Sequence, residues 1–117
     1  MPLRLKARSK YGAVKTTIDG LTFASKKEAA RYRELRLLER AREIEGLEVQ
    51  PKFPLVVASG VVKGAVTEIG CYVADFRYFD RRFHRFVTED VKGHDTPLSK
   101  WKRKHVSAQY GVEVRIV

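Results

Sequence analysis

Three residues in the second half of the chain, Asp75, Asp90 and Lys92, have the side-chain types and the spacing for chemistry on a phosphodiester. Two carboxylates held close together repel each other, and a divalent cation relieves that repulsion. Oxygen ligands from two or three groups suit Mg²⁺, which keeps several of its waters. Such a metal acidifies water and neutralises charge on a phosphate, and Lys92 would orient the attacking water or stabilise the transition state. The simpler alternative is a surface ion pair between Asp90 and Lys92 with an incidental Asp75.

The two aspartates lie in stretches rich in β-forming residues, 71–79 and 83–92, which predict an antiparallel pair of strands. Side chains two apart in a strand share a face, so Asp90 and Lys92 point the same way. Whether Asp75 joins them depends on the turn between the strands. A two-residue loop sets Asp75 one diagonal step from Asp90, and a four-residue loop sets them opposite each other. A three-residue loop sends them to opposite faces.

Glu28 is a third candidate metal ligand, in the first turn of a predicted helix. The run from Ser25 to Glu28 also spells a capping box, in which Ser25 caps the helix and the Glu28 carboxylate bonds back to the Ser25 amide. The helix dipole favours an acidic residue at this position as well. The sequence supports the metal-linked role and the capping role equally, and the two roles do not exclude each other.

Basic residues around these candidates predict contacts with the DNA backbone, with solvated surface as the alternative. They lie in an N-terminal arm, near the first helix and along a second helix: Arg4, Lys6, Arg8, Lys10, Lys15, Lys26, Lys27, Lys100, Lys102, Arg103 and Lys104. His94 and Asp95 are more typical of a turn and a helix cap. His105 shares a predicted apolar helix face and is expected to be a core histidine whose ring is hydrogen-bonded.

The rest of the sequence predicts the elements that position these residues. Asp19-Gly20 between β-forming residues indicates a tight hairpin, because its turn requires positive φ. A helix is expected from about Ser25 to Glu45, with Gly46 after its end. Its expected apolar stripe is Ala30, Leu37, Leu38, Ala41 and Ile44.

A second helix is expected to begin after Thr96 as N-cap, with Pro97 in its first turn, and to end at Gly111. Its expected apolar face is Leu98, Trp101, His105 and Ala108. The remaining elements are a strand-like segment at 47–58 and a terminal strand at 112–117, in which apolar and polar residues alternate. Hairpin, helix, strands, helix and strand together predict an α/β fold with a mixed central β-sheet flanked by helices.

The bulk properties agree with a single basic domain. The 117 residues indicate one domain, 15–117, behind a basic arm, 1–14. Lys and Arg number 24 against 14 Asp and Glu, and the net charge of +10 suits a polyanion, most commonly nucleic acid. Cys71 is the only cysteine, which excludes a zinc ribbon and an intramolecular disulfide. With no signal peptide and no apolar run near about 20 residues, a cytoplasmic protein is expected.

The pattern resembles the PD-(D/E)XK nuclease superfamily, with an acidic residue on the first helix, an Asp in one strand, D-x-K in the next and a helix after it. Residues 22–35, Ala74-Asp75-Phe76 and Glu89-Asp90-Val91-Lys92-Gly93 are similar to small phage-encoded members, and these are similar to archaeal Holliday junction resolvases. The resemblance covers about residues 11–117. Ala74 replaces the usual Pro, and Asp90 replaces the more usual Glu with a shorter reach to a metal.

The resemblance implies a restriction-endonuclease-like core and a homodimeric endonuclease that uses Mg²⁺, with Mn²⁺ able to replace it, on four-way and other branched DNA. Glu28, Asp75 and Asp90 would be the metal-linked carboxylates and Lys92 the catalytic lysine. The main hypothesis is therefore a Holliday junction resolvase acting in DNA recombination, in the host cytoplasm if phage-encoded. A non-catalytic basic nucleic-acid-binding module is the second hypothesis. The third is a nuclease of the same core that acts on linear DNA in repair or restriction.

Overall fold

A computed structural model describes residues 15–117, and the predicted basic arm, 1–14, lies outside the described residues. The described part contains two helices and eight strands in the predicted order of hairpin, helix, strands, helix and strand. Their bounds are β1 Thr16–Ile18, β2 Leu21–Phe23, α1 Lys26–Arg40, β3 Ile44–Val49, β4 Lys52–Ala58, β5 Val66–Val73, β6 Phe76–Asp80, β7 Arg85–Asp90, α2 Pro97–Tyr110 and β8 Val114–Ile116. Neither of these two helices is long and apolar enough to span a bilayer.

A four-stranded mixed sheet, in the order β3-β6-β7-β8, forms the centre of the described residues. Strands β7 and β8 are parallel, and the other pairs in this sheet are antiparallel. Two hairpins, β1-β2 and β4-β5, stand beside it as separate two-stranded sheets. The Asp19-Gly20 turn of the first hairpin has φ of 54° and 76°, as predicted for this dipeptide. The α/β class with a mixed sheet is thereby confirmed.

The central sheet separates two hydrophobic clusters. Helix α1 covers one face, where Ala29, Tyr32 and Leu35 pack with Ile44, Phe76, Tyr78, Val87 and Val91. On the other face Val106 of α2 packs with Phe53, Leu55, Tyr72 and Ala74, and β8 adds Val114. Because side chains alternate along β7, Val87 and Glu89 point to the α1 side and Thr88 and Asp90 to the α2 side.

Helix α1 ends at Arg40 with Ala41 as its C-cap, so the predicted end near Glu45 was wrong. Arg42, with φ of 62°, takes the left-handed position that the sequence assigned to Gly46. Ile44 then begins β3. Gly46 also has positive φ, 66°, but it lies at the register shift of β3, where a β-bulge needs this conformation.

The predicted apolar stripe of α1 was right only for Leu38, which packs against the core cluster, and for Ile44, which is buried in that cluster but belongs to β3. Ala30 and Leu37 are exposed, and the buried face is formed by Ala29, Tyr32 and Leu35. Tyr32 makes this possible, because its ring is buried in the core while its hydroxyl donates to Asp19 Oδ2 at 2.8 Å. A helix face predicted only from purely apolar residues therefore leaves out Tyr32.

Helix α2 begins and ends as predicted, since Thr96 accepts from the Ser99 amide at 3.1 Å and Gly111 has φ of 67°. Its apolar face was wrong: Leu98, Trp101 and Ala108 are exposed, and Val106 is the buried residue. The helix packs on the β4-β5 hairpin through polar contacts as well. The ring of His105 donates to the Val56 carbonyl at 2.9 Å, so the predicted hydrogen-bonded histidine is present in a half-buried position.

Candidate active site

The turn between β6 and β7 contains four residues, 81–84, because Asp80 pairs with Arg85. Continuing this register places Asp75 opposite Asp90. This is one of the two arrangements under which the sequence brings the aspartates together. The three-residue turn, which would have separated them, is excluded.

Asp75 lies at the point where the predicted strand 71–79 is divided into β5 and β6. Its amide donates to the Glu89 carbonyl at 3.0 Å, and its Oδ2 accepts from the Val91 amide at 2.7 Å. Burial raises the pKa of Asp75, although the Val91 hydrogen bond and the charge of Lys92 oppose the rise. The carboxylate is thus held against the end of β7 in a position where ionisation is unfavourable.

Asp90 ends β7 with 2% of its surface exposed. The hydroxyl of Tyr72, on β5, donates to Asp90 Oδ2, and Lys92 Nζ lies 3.4 Å from the same oxygen. Burial raises the pKa of Asp90 despite the nearby positive charge of Lys92. Sequence reasoning missed Tyr72, because its contact depends on how the β4-β5 hairpin packs on the sheet and no local motif signals it.

Lys92 connects the strand to both helices. Its Nζ donates to Ser99 Oγ, in the first turn of α2, at 3.3 Å. Its carbonyl accepts from Lys27 Nζ, in the first turn of α1, at 3.0 Å. Two ammonium groups, the buried carboxylate of Asp90 and the half-buried carboxylate of Asp75 therefore meet where α1, β7 and α2 come together.

Glu28 lies at the start of α1 with its side chain half-buried. Ser25 caps the helix, since its Oγ accepts from the Glu28 amide at 3.1 Å, and the Ser25 hydroxyl is 3.4 Å from Glu28 Oε1. Burial and then the negative charge of Asp75 raise the pKa of Glu28, and Asp90 adds to the rise. Hydrogen bonds from Ala24 and Ser25 oppose it. The cap and an electrostatic link to both aspartates therefore coexist.

Replacing Glu28 with Gln separates these two roles. Gln fills the same capping-box position, so we expect the free energy of unfolding to change by less than about 0.5 kcal/mol. Loss of the third negative charge should lower metal-dependent cleavage by at least about tenfold. Urea unfolding and cleavage rates of the same preparation measure both. Ser25→Ala is the control for the cap and should cost about 0.5–2 kcal/mol of stability. Because the Ser25 hydroxyl also contacts Glu28 Oε1, its cleavage rate should fall, but less than that of Glu28→Gln.

A buried ion pair lies directly behind the site and was not predicted. Glu89 is fully buried and accepts two hydrogen bonds from Arg31, from Nε at 2.8 Å and from a terminal nitrogen at 2.6 Å. The Tyr78 hydroxyl also donates to Glu89. The sequence did carry a signal, because Glu89 alternates with Val87 and Val91 and so must lie on the apolar face. A carboxylate in that position requires a buried partner.

The basic residues predicted to bind DNA fall into three groups. Arg4, Lys6, Arg8 and Lys10 lie outside the described residues. Lys15, Lys26, Lys27, Lys100 and Lys104 are exposed. Lys102 and Arg103 are instead half-buried: Lys102 donates to the Cys71 carbonyl at 3.2 Å, and Arg103 forms two hydrogen bonds with Asp95. These two hold α2 in place, so the prediction of a basic surface around the whole helix applies only to Lys100 and Lys104.

Asp75, Asp90 and Glu28 do not form a closed three-ligand site. Across residues 15–117 no group of three or more His, Cys, Asp or Glu side chains is arranged to hold a metal ion. The donor chemistry nevertheless fits Mg²⁺, which proteins commonly bind through one or two carboxylates while waters and substrate phosphates complete the shell. The Asp75–Asp90 pair supplies two such carboxylates, and a nearby cation would lower the pKa of both.

Comparison with known proteins identifies a family without assigning an activity. A family model described as a protein of unknown function, DUF1064, matches residues 8–117 and so includes part of the predicted basic arm. No curated protein and no solved structure matches the chain.

Proposed function

The chain belongs to the DUF1064 family, described as being of unknown function, and we propose that it is a metal-dependent DNA endonuclease. The observation that carries the proposal is the convergence of Asp75 and Asp90 with Lys92 at one end of the sheet. Both carboxylates have a raised pKa because of burial. A protein that needed these residues only for stability would gain more from neutral side chains there.

The order of the elements supports a PD-(D/E)XK-type core. Glu28 lies on the first helix, Asp75 at the entrance to β6, the Asp90-x-Lys92 pattern at the end of β7, and α2 follows. This matches the arrangement that the sequence resemblance implies, in which consecutive elements deliver acidic groups and a lysine to one place. The four-residue turn of the β6-β7 hairpin supplies the register that this arrangement requires.

In the proposed mechanism the side chains of this chain hold and orient the reacting groups. Asp75 and Asp90 would be the metal ligands, and a bound Mg²⁺ would acidify a water and neutralise charge on the phosphodiester. The Val91 amide fixes Asp75 and the Tyr72 hydroxyl fixes Asp90, so neither carboxylate must reorganise during the reaction. Lys92, 3.4 Å from Asp90, supplies a positive charge beside the phosphate or orients the attacking water.

Basic residues next to the site would hold the DNA backbone. Lys27 lies beside Lys92, and Lys100 is in the first turn of α2, so exposed ammonium groups stand on two sides of the carboxylates. Contacts of this kind bind phosphate without reading sequence. Junction resolution requires two opposed cuts, so the proposal includes a homodimer that carries two sites.

The proposal is tested by cleavage of a labelled four-way junction and of a linear duplex of the same sequence, each with Mg²⁺ and with EDTA. We expect metal-dependent cutting of the junction in preference to the duplex, and Mn²⁺ should replace Mg²⁺. Equal cutting of both DNAs would retain the nuclease and reject the junction preference. Tight DNA binding with no cutting under any of these metals would instead identify a non-catalytic binding module.

A further inference from the structure

A groove lined by arginine and phenylalanine runs beside β7, from Arg85 near the β6-β7 turn to Thr88, two residues before Asp90. Its defining residues are Arg77, Arg85, Phe86 and Arg115, with Phe83 exposed on the adjoining turn. We propose that this arginine–phenylalanine groove binds an unpaired strand of DNA, with bases stacked on the phenyl rings and phosphates held by the guanidinium groups. The proposal rests on the proposed function, because it assigns part of the substrate to a second surface of the nuclease.

The groove has the size and lining of a ligand site. Its volume is about 510 Å³, within the range of small-molecule pockets, and its remaining wall comes from β7, β8 and the residues after α2. Val112 and Val114 supply apolar surface, and Thr88 supplies a hydroxyl. A polar rim over an apolar wall suits a nucleotide, which combines a flat base with a charged phosphate.

Two phenylalanines near the groove are exposed, and among the described residues only one of them, Phe86, packs against another ring, that of Phe79 at 5.1 Å. Phe83 is 66% exposed and Phe86 is 64% exposed, although both are large apolar side chains. Arg77 lies over the Phe86 ring at 4.7 Å, and Arg85 lies 5.6 Å from the Phe83 ring centre. Aromatic rings flanked by guanidinium groups are the surface on which single-stranded nucleic acid stacks without sequence preference.

The charge of this surface favours a polyanion over a second copy of the chain. Arg81, Arg82 and Arg85 are exposed on or beside the turn. Asp80 is buried and paired with Arg82, Glu43 lies 3.6 Å from Arg82, and Glu113 is the one acidic residue among the described residues that line the groove. Arg77 is paired with Glu48, yet its Nε is buried without a hydrogen-bond acceptor. Symmetric self-association would bring two such arginine-rich turns face to face, and like charges in that position repel.

Arg77 and Phe86 of the groove lie on the same face of the sheet as the candidate active site, whereas Arg85 and Arg115 point to the other face at the edge of the sheet. Phe86, Thr88 and Asp90 alternate along β7 and therefore point to the same side. Asp90 lies four positions after Phe86 along β7, which corresponds to about 13 Å. An unpaired DNA strand that leaves the carboxylates along β7 would therefore reach the groove.

The test measures binding without cleavage, using fluorescence anisotropy of a short oligothymidylate and of a duplex of equal length in EDTA. We expect Phe83→Ala with Phe86→Ala to weaken binding of the single strand by about 5- to 100-fold, the scale of lost base stacking. Binding of the duplex should change less than about twofold. Leu37→Ala, an equally exposed apolar residue on α1 (64%), is the matched control and should change neither. Phe83→Ala alone is a second variant. Because Phe83 lies in the turn, its replacement removes no ring from a strand and is not expected to disturb the fold.

Unchanged single-strand binding in the phenylalanine variants would overturn the proposal, as would equal weakening in Leu37→Ala. A change of molecular mass in size-exclusion chromatography on replacing the two rings would also overturn it, and would assign the surface to self-association. The binding assay contains EDTA and measures no cleavage, so its result does not depend on whether the protein is a nuclease. Strand binding that depends on Phe83 and Phe86 in a protein that cuts no DNA would retain the groove and reject the cleavage activity.

Discussion

Replacement of Asp75 by Asn is expected to lower DNA cleavage by at least about a hundredfold, the scale of losing one preorganised electrostatic group at a reacting centre. The Asn side-chain oxygen can still accept the hydrogen bond from the Val91 amide, which the Asp75 carboxylate accepts at 2.7 Å. The local backbone should therefore keep its geometry, and only the charge and the metal affinity should be lost. Single-turnover cleavage with saturating protein measures the effect, and DNA affinity in EDTA should stay within about threefold of the wild-type value.

Glu68→Gln is the matched control for this variant. Glu68 is exposed on β5, so its replacement also removes one negative charge but leaves the candidate site intact. We expect its cleavage rate to equal that of the wild type. If Asp75→Asn cuts at the wild-type rate, or if both variants lose activity equally, Asp75 is not a functional carboxylate and the proposed active site is wrong.

The raised pKa of Asp75 allows the Asp75→Asn variant to be tested a second way, through its thermal stability instead of its cleavage rate. Because burial raises this pKa above the ordinary value of 3.8, the folded state binds the proton more tightly than the unfolded state. The contribution of Asp75 to stability therefore falls as pH rises from that ordinary value through the raised pKa. Asp75→Asn removes this dependence, so the metal-free variant should melt at the same or a higher temperature than the wild type at neutral pH. Thermal melts in EDTA from acid to neutral pH measure the difference between the two proteins.

The features that the sequence predicted correctly are those encoded by a few adjacent residues. Asp19-Gly20 specifies a tight turn through its positive φ values, and Thr96, Pro97 and Gly111 specify the two ends of α2. Each signal acts within one turn of chain and needs no information about distant partners. The Ser25 cap belongs to the same class, and it too is present.

The features that the sequence did not predict depend on contacts between distant segments. Ile44 satisfies helical periodicity as well as strand alternation, and its pairing with Asp80 across β3 and β6 decides the outcome. The single strand predicted at 71–79 is divided because β5 pairs with β4 while β6 pairs with β3 and β7. Local β-propensity is the same on both sides of that division and gives no sign of it.

In the candidate site, too, the sequence predicts the local relations and does not predict the contacts between distant segments. Pairing rules reduced the relation of Asp75 to Asp90 to a choice of turn length, and the structure has the four-residue turn. Tyr72 and Ser99, which contact Asp90 and Lys92, come from a separate hairpin and from α2, so their approach is a result of tertiary packing. Glu89 differs from Tyr72 and Ser99, because its position between Val87 and Val91 in the sequence already indicates a buried carboxylate that needs a cationic partner. The sequence does not indicate that this partner is Arg31.

Replacement of Arg31 by Met is expected to lower the free energy of unfolding by about 3–5 kcal/mol, the scale of leaving one member of a buried ion pair uncompensated. Glu89 is fully buried, and Arg31 supplies two of its hydrogen bonds, at 2.8 and 2.6 Å. The remaining donor is the Tyr78 hydroxyl, which does not neutralise the charge. Urea unfolding measures the loss. Arg33→Met, at an exposed position of the same helix, is the control and should change stability by less than about 0.5 kcal/mol.

A double-mutant cycle shows whether the loss comes from the orphaned charge or from the missing Arg31 side chain. Adding Glu89→Gln to Arg31→Met removes the buried charge while the amide oxygen can still accept from Tyr78, so most of the lost stability should return. If the double variant is as unstable as Arg31→Met, packing of the arginine stem on α1 is the main contribution instead. Recovery of stability would show that the loss in Arg31→Met comes from the uncompensated charge of Glu89 and not from the absence of the ion pair itself. In that case the sheet end that carries the candidate carboxylates requires only that the buried Glu89 charge be neutralised, which in the native protein is the role of Arg31.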